Sequence, residues 1–403
     1  MSAHRIVVGV PRETFPGEAR VALVPTVLAQ LAKAGIDVVV ETGAGMAAGF
    51  PDRAYADHGA RLGTRDEVFA ADVVAQVRAW GEYLDAGRDD LDRMHPDQVV
   101  VGIADPLAAP DAARHVAERK VTAFALDLVP RITRAQVMDV LSSQATVVGY
   151  RAVVIAADHL PRMFPMLTTA AGTVPPAQVL VVGAGVAGLT AIATARRPGA
   201  VVRAYDVRRA ARSEIESLGA RAVVLPLEPG EAGDSGGYAR DLGDALTQRQ
   251  QELLAPVVAG VDVVITTASV PGKPAPVLVT EEAVQSMAAG SVVVDAAAER
   301  GGNCALTRAG RRVVTGNGVT VLGPTNLASG AAHDASVMYA KNMTAFLLHL
   351  VHDGQIALDL QDEIVDGTLV ARDGEVVHPA VREALEAQEE DAGQGERDEE
   401  MGR

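Results

Sequence analysis

Short valine-rich apolar runs recur along the chain, each bounded by glycine, proline or charged residues. The runs at Arg5–Val10, Ile36–Glu41, Val73–Arg78, Val99–Ile103 and Thr122–Leu128 read as buried parallel strands, because strands covered on both faces lose the alternation of apolar and polar positions. Between the first two, Pro25 opens a helix that places Val27, Leu28, Leu31 and Ala32 on one face, and Gly35 closes it. A second helix is expected over Ala108–Glu118. Residues 130–158 read as a charged loop running into a long helix that connects two domains and passes beside the cleft between them. Further strands are expected at Val179–Val182, Val201–Tyr205, Ala222–Leu225, Val261–Thr266, Ser291–Asp295 and Val319–Leu322, with helices at Leu189–Arg196 and Glu281–Met287. The last apolar helix, Ala335–Val351, presents Val337, Met338, Phe346, Leu347, Leu350 and Val351 for burial and is expected to return to the first domain. A hairpin turned at Asp373-Gly374 and a terminal helix follow. Residues 383–403 hold nine acids against two arginines and read as an acidic, disordered tail.

Composition narrows the class. The chain is 48% hydrophobic but only 3% aromatic, so its core is built from Ala, Val and Leu, as alternating α/β layers require. A net charge of −16 argues against binding through nucleic-acid phosphates. The single cysteine, Cys304, excludes an intramolecular disulfide framework. Nine histidines without an HExxH or CxxC companion leave no legible metal site. Met163–Ala195 carries no charge, but Pro165, Pro175 and Pro176 break any spanning helix, so a soluble protein without membrane insertion is expected.

The chemistry concentrates at residues 173–208. The run Val179–Val182 leads at once into Gly183-Ala-Gly185-Val-Ala-Gly188, then a small-residue helix, then the strand Val201–Tyr205 with Asp206 at its end. Gly183 permits a sharp turn, Gly185 lets backbone amides approach a pyrophosphate, and Gly188 lets helix and strand pack closely. The helix N-terminus offers unpaired N–H groups and partial positive charge to that phosphate. Asp206 is placed to accept from both adenosine ribose hydroxyls and to repel a 2′-phosphate, which favours NAD(H) over NADP(H). Arg208 and Arg209 pull the other way, since arginines there can meet a 2′-phosphate. The fold class is therefore α/β with two Rossmann-like domains, the second a doubly wound parallel sheet carrying GxGxxG. The first domain spans residues 1–145 and is rejoined by 335–382; the NAD(H)-binding domain spans 146–334.

Three other stretches hold charged or polar candidates. Arg12, Glu13, Glu18 and Arg20 follow the first strand at its carboxyl end, where open α/β sheets place ligands; ordinary ion pairs explain them equally well. Arg131, Gln136, Asp139 and Ser142 gather at the start of the long helix, suited either to hold a nicotinamide carboxamide or simply to cap the helix. The segment EPGEAGDSGGYARDLG, with Tyr238 as its one large side chain, reads as a mobile loop.

These residues resemble a known family. VGVPRETFPGEARVALVP, PRITRAQVMDVLSSQ, GYRAV, FPMLTTAAGTVPPAQVLVVGAGVAGLTAIATA, DVR, GGY, ITTASVPGKPAPVLVTEEAV, GGNCALT and DGEVVHPA look like the NAD(H)-binding subunits of proton-translocating nicotinamide nucleotide transhydrogenases, within the wider alanine dehydrogenase family. RAQxMDxLSSQ is the most specific of them. The resemblance covers nearly the whole chain except the tail. It implies that Arg131, Gln136, Asp139 and Ser142 position the nicotinamide without acid or base chemistry. It also implies that Gly183, Gly185, Val186, Ala187, Gly188, Asp206, Val207, Arg208, Thr267, Ala268 and Gly272 contact the cofactor, with Gly237 and Tyr238 on a lid. A homodimer is implied, with NADP(H) bound on a partner subunit and a membrane-spanning proton-channel subunit, both on separate chains. The chain then sits on the cytoplasmic face of the inner (plasma) membrane through those partners. Residues 76–107, Pro198 and residues 323–333 depart from the family pattern.

Proton chemistry separates the members of that family. An amino-acid dehydrogenase moves a proton with its hydride and so needs a base within reach, in this family a Lys and a His. The corresponding stretches here read VAQVRAWGEY and VVVGIADPL, and Arg78 does not deprotonate. Hydride passing between two nicotinamides requires proximity and orientation alone. The alternatives are a free-standing alanine-dehydrogenase-type enzyme and a module that senses NAD(H) without chemistry.

Overall fold

The computed structural model describes residues 5–80, 84–226, 234–235, 238–239, 244–270, 272–352 and 354–401. The main strands in chain order are β1 (Ile6–Val10), β2 (Ile36–Glu41), β3 (Arg61–Gly63), β4 (Val73–Arg78), β5 (Val99–Ile103), β6 (Thr122–Ala125), β7 (Gln178–Val182), β8 (Val201–Tyr205), β9 (Arg221–Ala222), β10 (Val263–Thr266), β11 (Val292–Asp295), β12 (Arg312–Val314), β13 (Thr320–Leu322), β14 (Leu369–Arg372) and β15 (Glu375–Val376). They divide between two compact units, Met1–Gln144 with Ala331–Arg403, and Ala145–Gly330.

The first unit holds an eight-stranded sheet in the order β15-β14-β6-β5-β4-β1-β2-β3. Strands β1 to β6 run parallel, and β14 closes the edge antiparallel to β6. The order 3-2-1-4-5-6 within β1–β6 is the doubly wound pattern, with its reversal between β1 and β4. One face buries Val8, Leu23, Leu31, Val40, Phe124, Tyr339, Phe346 and Leu347 among others. The other buries Val74, Val100, Ala113 and Val116. The returning helix, Ala332–Leu350, supplies Tyr339, Met343 and Phe346 to the first of these layers.

The second unit repeats the design with β9-β8-β7-β10-β11-β13-β12, parallel except for β12. Its reversal lies between β7 and β10, so the crevice at the carboxyl ends of these two strands is where the sheet topology places a ligand. The helix Val186–Arg196 covers one face through Ala191, Ile192 and Ala195.

Several elements differ from expectation. The third strand of the second unit shrinks from Ala222–Leu225 to Arg221–Ala222, as happens at an edge with one neighbour. The helices Asp52–Asp57, Arg65–Phe69 and Asp244–Ala259 and the exposed hairpin Leu167–Thr169/Gly172–Val174 go beyond the sequence pattern. The acidic segment expected to be disordered continues the terminal helix Pro379–Met401; early in it, Glu389 pairs with Arg114 and Gln388 donates to Asp111. Among the described residues one helix, Val140–His159, is long and apolar enough to cross a membrane, rather than the uncharged run 163–195.

Candidate cofactor site

The glycine turn is built as its spacing demands. Gly183 leaves β7 with φ +95°, a conformation that side chains disfavour, and a Cβ there would lie 2.8 Å from Thr267 Oγ1. At Gly188 a Cβ would meet the Gly183 carbonyl oxygen at 1.9 Å, so only glycine lets the helix lie this close to the turn. Gly185 is the contrast: it is exposed, and nothing lies within 4 Å of its Cβ position. Two glycines are therefore needed for packing, and the third leaves open space above the backbone. The helix begins at Val186, itself exposed, with Ala187 half-buried, so its first N–H groups face that space.

Asp206 stands at the end of β8. Its Oδ2 accepts the Ala184 N–H at 2.7 Å, which ties the acid to the glycine turn. Oδ1 accepts the Arg208 backbone N–H at 2.8 Å and Nε at 3.0 Å, and Oδ2 also accepts Arg208 Nη2 at 3.0 Å. Val207, between them, is half-buried.

Across the sheet reversal, Thr267 follows β10 and its hydroxyl donates to the Gly183 carbonyl at 3.1 Å. Ala268 is held on both sides by Asn303, whose Oδ1 accepts the Ala268 N–H at 3.0 Å while Nδ2 donates to its carbonyl at 2.8 Å. Asn303 Nδ2 also donates to the Pro276 carbonyl at 2.8 Å, and the neighbouring Cys304 N–H donates to the buried Asp295 at the end of β11, which accepts as well from Thr266 Oγ1, Ala297 N–H and Thr307 Oγ1. Neither Asn303 nor Asp295 stands out in the sequence; the only signal is their place in or beside the matched segment GGNCALT. Gly272 turns with φ +69°. Gly237 lies outside the described residues, and of Tyr238 only the backbone, in the short strand Tyr238–Ala239, is described.

In the first unit the 131–142 segment is a 3-10 turn, Thr133–Met138, followed by the long helix. Ala135 and Met138 are buried, Asn342 Nδ2 donates to the Val137 carbonyl at 2.8 Å, and Arg134 pairs with Asp362. Arg131 and Gln136 are exposed. Asp139 caps the helix, accepting the Ser142 N–H at 2.8 Å and its hydroxyl. Asp139 and Ser142 thus form a cap at the helix start, beside the exposed Arg131 and Gln136.

Of the charged residues after β1, Glu18 and Arg20 pair with each other, and Glu13 is bound by backbone N–H groups. Glu18, whose side chain is fully buried, is bound by Arg20 at 2.6 Å and Arg78 at 3.1 Å, and the Arg78 guanidinium lies 4.0 Å from the Phe15 ring centroid. Glu13 accepts from the Val77 and Arg78 N–H groups; burial, and then the neighbouring Glu18, push its carboxyl up to about 8. Arg78, in the stretch where a dehydrogenase carries its lysine, is committed to this network.

Comparison with known proteins matches both units of the chain. The family described as Alanine dehydrogenase/PNT, N-terminal domain, matches residues 9–148, and Alanine dehydrogenase/PNT, C-terminal domain, matches residues 152–379. The chain is 44% identical over 379 residues to the first portion of the NAD(P) transhydrogenase subunit alpha of Rhodospirillum rubrum, covering 93% of this chain and 98% of that protein. Alanine dehydrogenase of Bacillus subtilis is 27% identical over 390 residues, with 94% and 95% covered. Among solved structures, transhydrogenase from Sinorhizobium meliloti superposes with a TM-score of 0.80 at 43% identity, over 93% of this chain and 99% of that one.

Proposed function

Because the chain belongs to the alanine dehydrogenase/PNT family, and within it is a transhydrogenase alpha subunit, we propose that it binds NADH at the Gly183–Gly188 turn and Asp206 and passes hydride to NADP⁺ held on a partner subunit. The observation that carries the binding half is the glycine turn itself, closed by sterics at Gly183 and Gly188 and open at Gly185. A pyrophosphate fits against that open backbone and the helix N-terminus, and Asp206 supplies the carboxylate for an adenosine ribose.

When bound, the nicotinamide supplies the hydride. The protein's share of the chemistry is orientation. Arg131 and Gln136 hold the nicotinamide ring, with Gln136 suited to its carboxamide, and Asp139 and Ser142 fix the helix start from which they project. Thr267, Ala268 and Gly272 line the cofactor on the side of β10, with Asn303 fixing Ala268. Direct transfer between two nicotinamides moves no proton, and the burial of Arg78 in an ion network rather than a titratable lysine suits that reaction.

The remaining assembly follows the same reading. The chain forms a homodimer and associates, on the cytoplasmic face of the inner membrane, with an NADP(H)-binding subunit and a membrane-spanning proton channel carried on separate chains. The test is an absorbance assay with NADH and an NADP⁺ analogue. Hydride exchange appears only when the NADP-binding subunit is added. NADH oxidation by the isolated chain with pyruvate and ammonia refutes the proposal in favour of an alanine-dehydrogenase-type enzyme.

A further inference from the structure

The Asp206 carboxylate already accepts four hydrogen bonds from within the chain. Its two oxygens receive two backbone N–H groups, from Ala184 and Arg208, and two guanidinium N–H groups, Nε and Nη2 of Arg208. The side chains are 8% and 15% exposed, so this is a largely desolvated ion pair. A carboxylate accepts about four hydrogen bonds, so a ribose diol gains its two only if two existing donors leave. The backbone donors are fixed by the turn between β7 and its helix. The guanidinium is on a flexible stem, so it is the group that moves.

Resting on the proposed NAD(H) site, we propose that Arg208 is a specificity-determining residue held in check by Asp206: it covers the acid in the free chain, and it becomes a ligand for a 2′-phosphate once the acid's charge is removed. A guanidinium displaced from Asp206 remains beside the ribose, and its planar donors match a phosphate. In the native chain Asp206 repels that phosphate and competes for the same donors, so NADPH is refused twice by one residue. Loss of the carboxylate charge removes both effects together, and Arg208 then contributes attraction. Selectivity at this site is therefore a property of the pair and is not additive.

The test is equilibrium binding of NADH and NADPH to the full chain, followed by nucleotide fluorescence, for the native protein, Asp206→Asn, Arg208→Gln and the double variant. Asparagine keeps the shape and an acceptor for Ala184; Asp206→Ser, alone and with Arg208→Gln, serves if Asp206→Asn does not fold. The expected result is a gain of about tenfold or more in NADPH affinity for Asp206→Asn, the scale of one charge-assisted hydrogen bond, abolished in the double variant. Arg208→Gln alone leaves NADPH binding weak. A double variant that binds NADPH as tightly as Asp206→Asn overturns the proposal, because the gain is then only relief of repulsion. A folded native chain that binds neither nucleotide overturns the site reading itself, and this inference with it.

Discussion

Gly149 sits on the long helix Val140–His159 where that helix crosses the first turn of Val186–Arg196. A Cβ added at Gly149 would lie 2.1 Å from the Ala187 carbonyl oxygen and 3.0 Å from the Ala191 nitrogen. A carbon–oxygen contact needs about 3.3 Å, so Gly149→Ala forces the two helices about 1.2 Å apart. Two effects oppose each other. Alanine within a helix is favoured over glycine by about 1 kcal/mol. Overpacking a close contact costs about 1–3 kcal/mol, and the upper end applies because the obstacle is backbone rather than a movable side chain. The net expectation is destabilisation by about 1–2 kcal/mol, or a fall in Tm of about 2–8 °C for a domain of this size. Since Ala187 lies in the first turn of the helix proposed to face the pyrophosphate, NADH affinity falls as well. Calorimetry and fluorescence titration of the full chain measure both. A variant as stable as the native protein, with unchanged NADH affinity, refutes the claim that this contact fixes the phosphate-facing turn.

Gln136→Asn shortens a side chain on the anchored turn and is expected to slow hydride transfer by about 10- to 100-fold while NADH affinity stays within about twofold; equal losses in both count against an orienting role. Asn342→Ala removes the side-chain donor under Val137 and is expected to slow transfer by about tenfold, again without loss of NADH affinity; stopped-flow transfer rates and binding isotherms separate the two. Glu13, with its carboxyl raised to about 8 by burial, holds its proton in the folded chain over a range where the unfolded chain has lost it. Its contribution is thus complete below about pH 4.5 and is lost as pH rises toward 8, at up to about 1.4 kcal/mol per pH unit. Glu13→Gln should therefore gain stability relative to the native protein between pH 5 and 8 in urea melts; a difference constant with pH refutes the assignment.

Most of the sheet could be read directly from valine runs, because parallel strands buried on both faces leave little for polar residues to do. Ile36–Glu41, Val73–Arg78, Val99–Ile103 and Val201–Tyr205 occur with the bounds their patterns imply. The failures have physical causes. Arg61–Gly63 is three residues at an edge with no apolar run to announce it. The helix Asp244–Ala259 contains Pro256, which interrupts the pattern that would have marked it. In the candidate site, Gly183 and Gly188 were legible because sterics restrict those positions to glycine, and Asp206 because an acid at the end of the second strand follows the glycine turn at a set spacing. Asp295 and Asn303 were not, since a buried polar residue that satisfies loop amides has no periodicity and is defined only by what folds around it. Asp139 and Ser142 were readable as a cap or as ligands, and hydrogen bonding within one turn of helix answers only the first of these.

The pairing of β14 with β6 joins Leu369 to Phe124, and Tyr339 donates to the Gln76 carbonyl at 2.7 Å. Partners so far apart in sequence impose an order on synthesis. Residues 145–330 can leave the ribosome and close their own sheet while the first unit still lacks its border strand and a covering helix. Until the final segment emerges, the nascent chain exposes the edge of β6 and an apolar face, a surface open to wrong pairings and to chaperones. In this protein the body begun first is the one finished last.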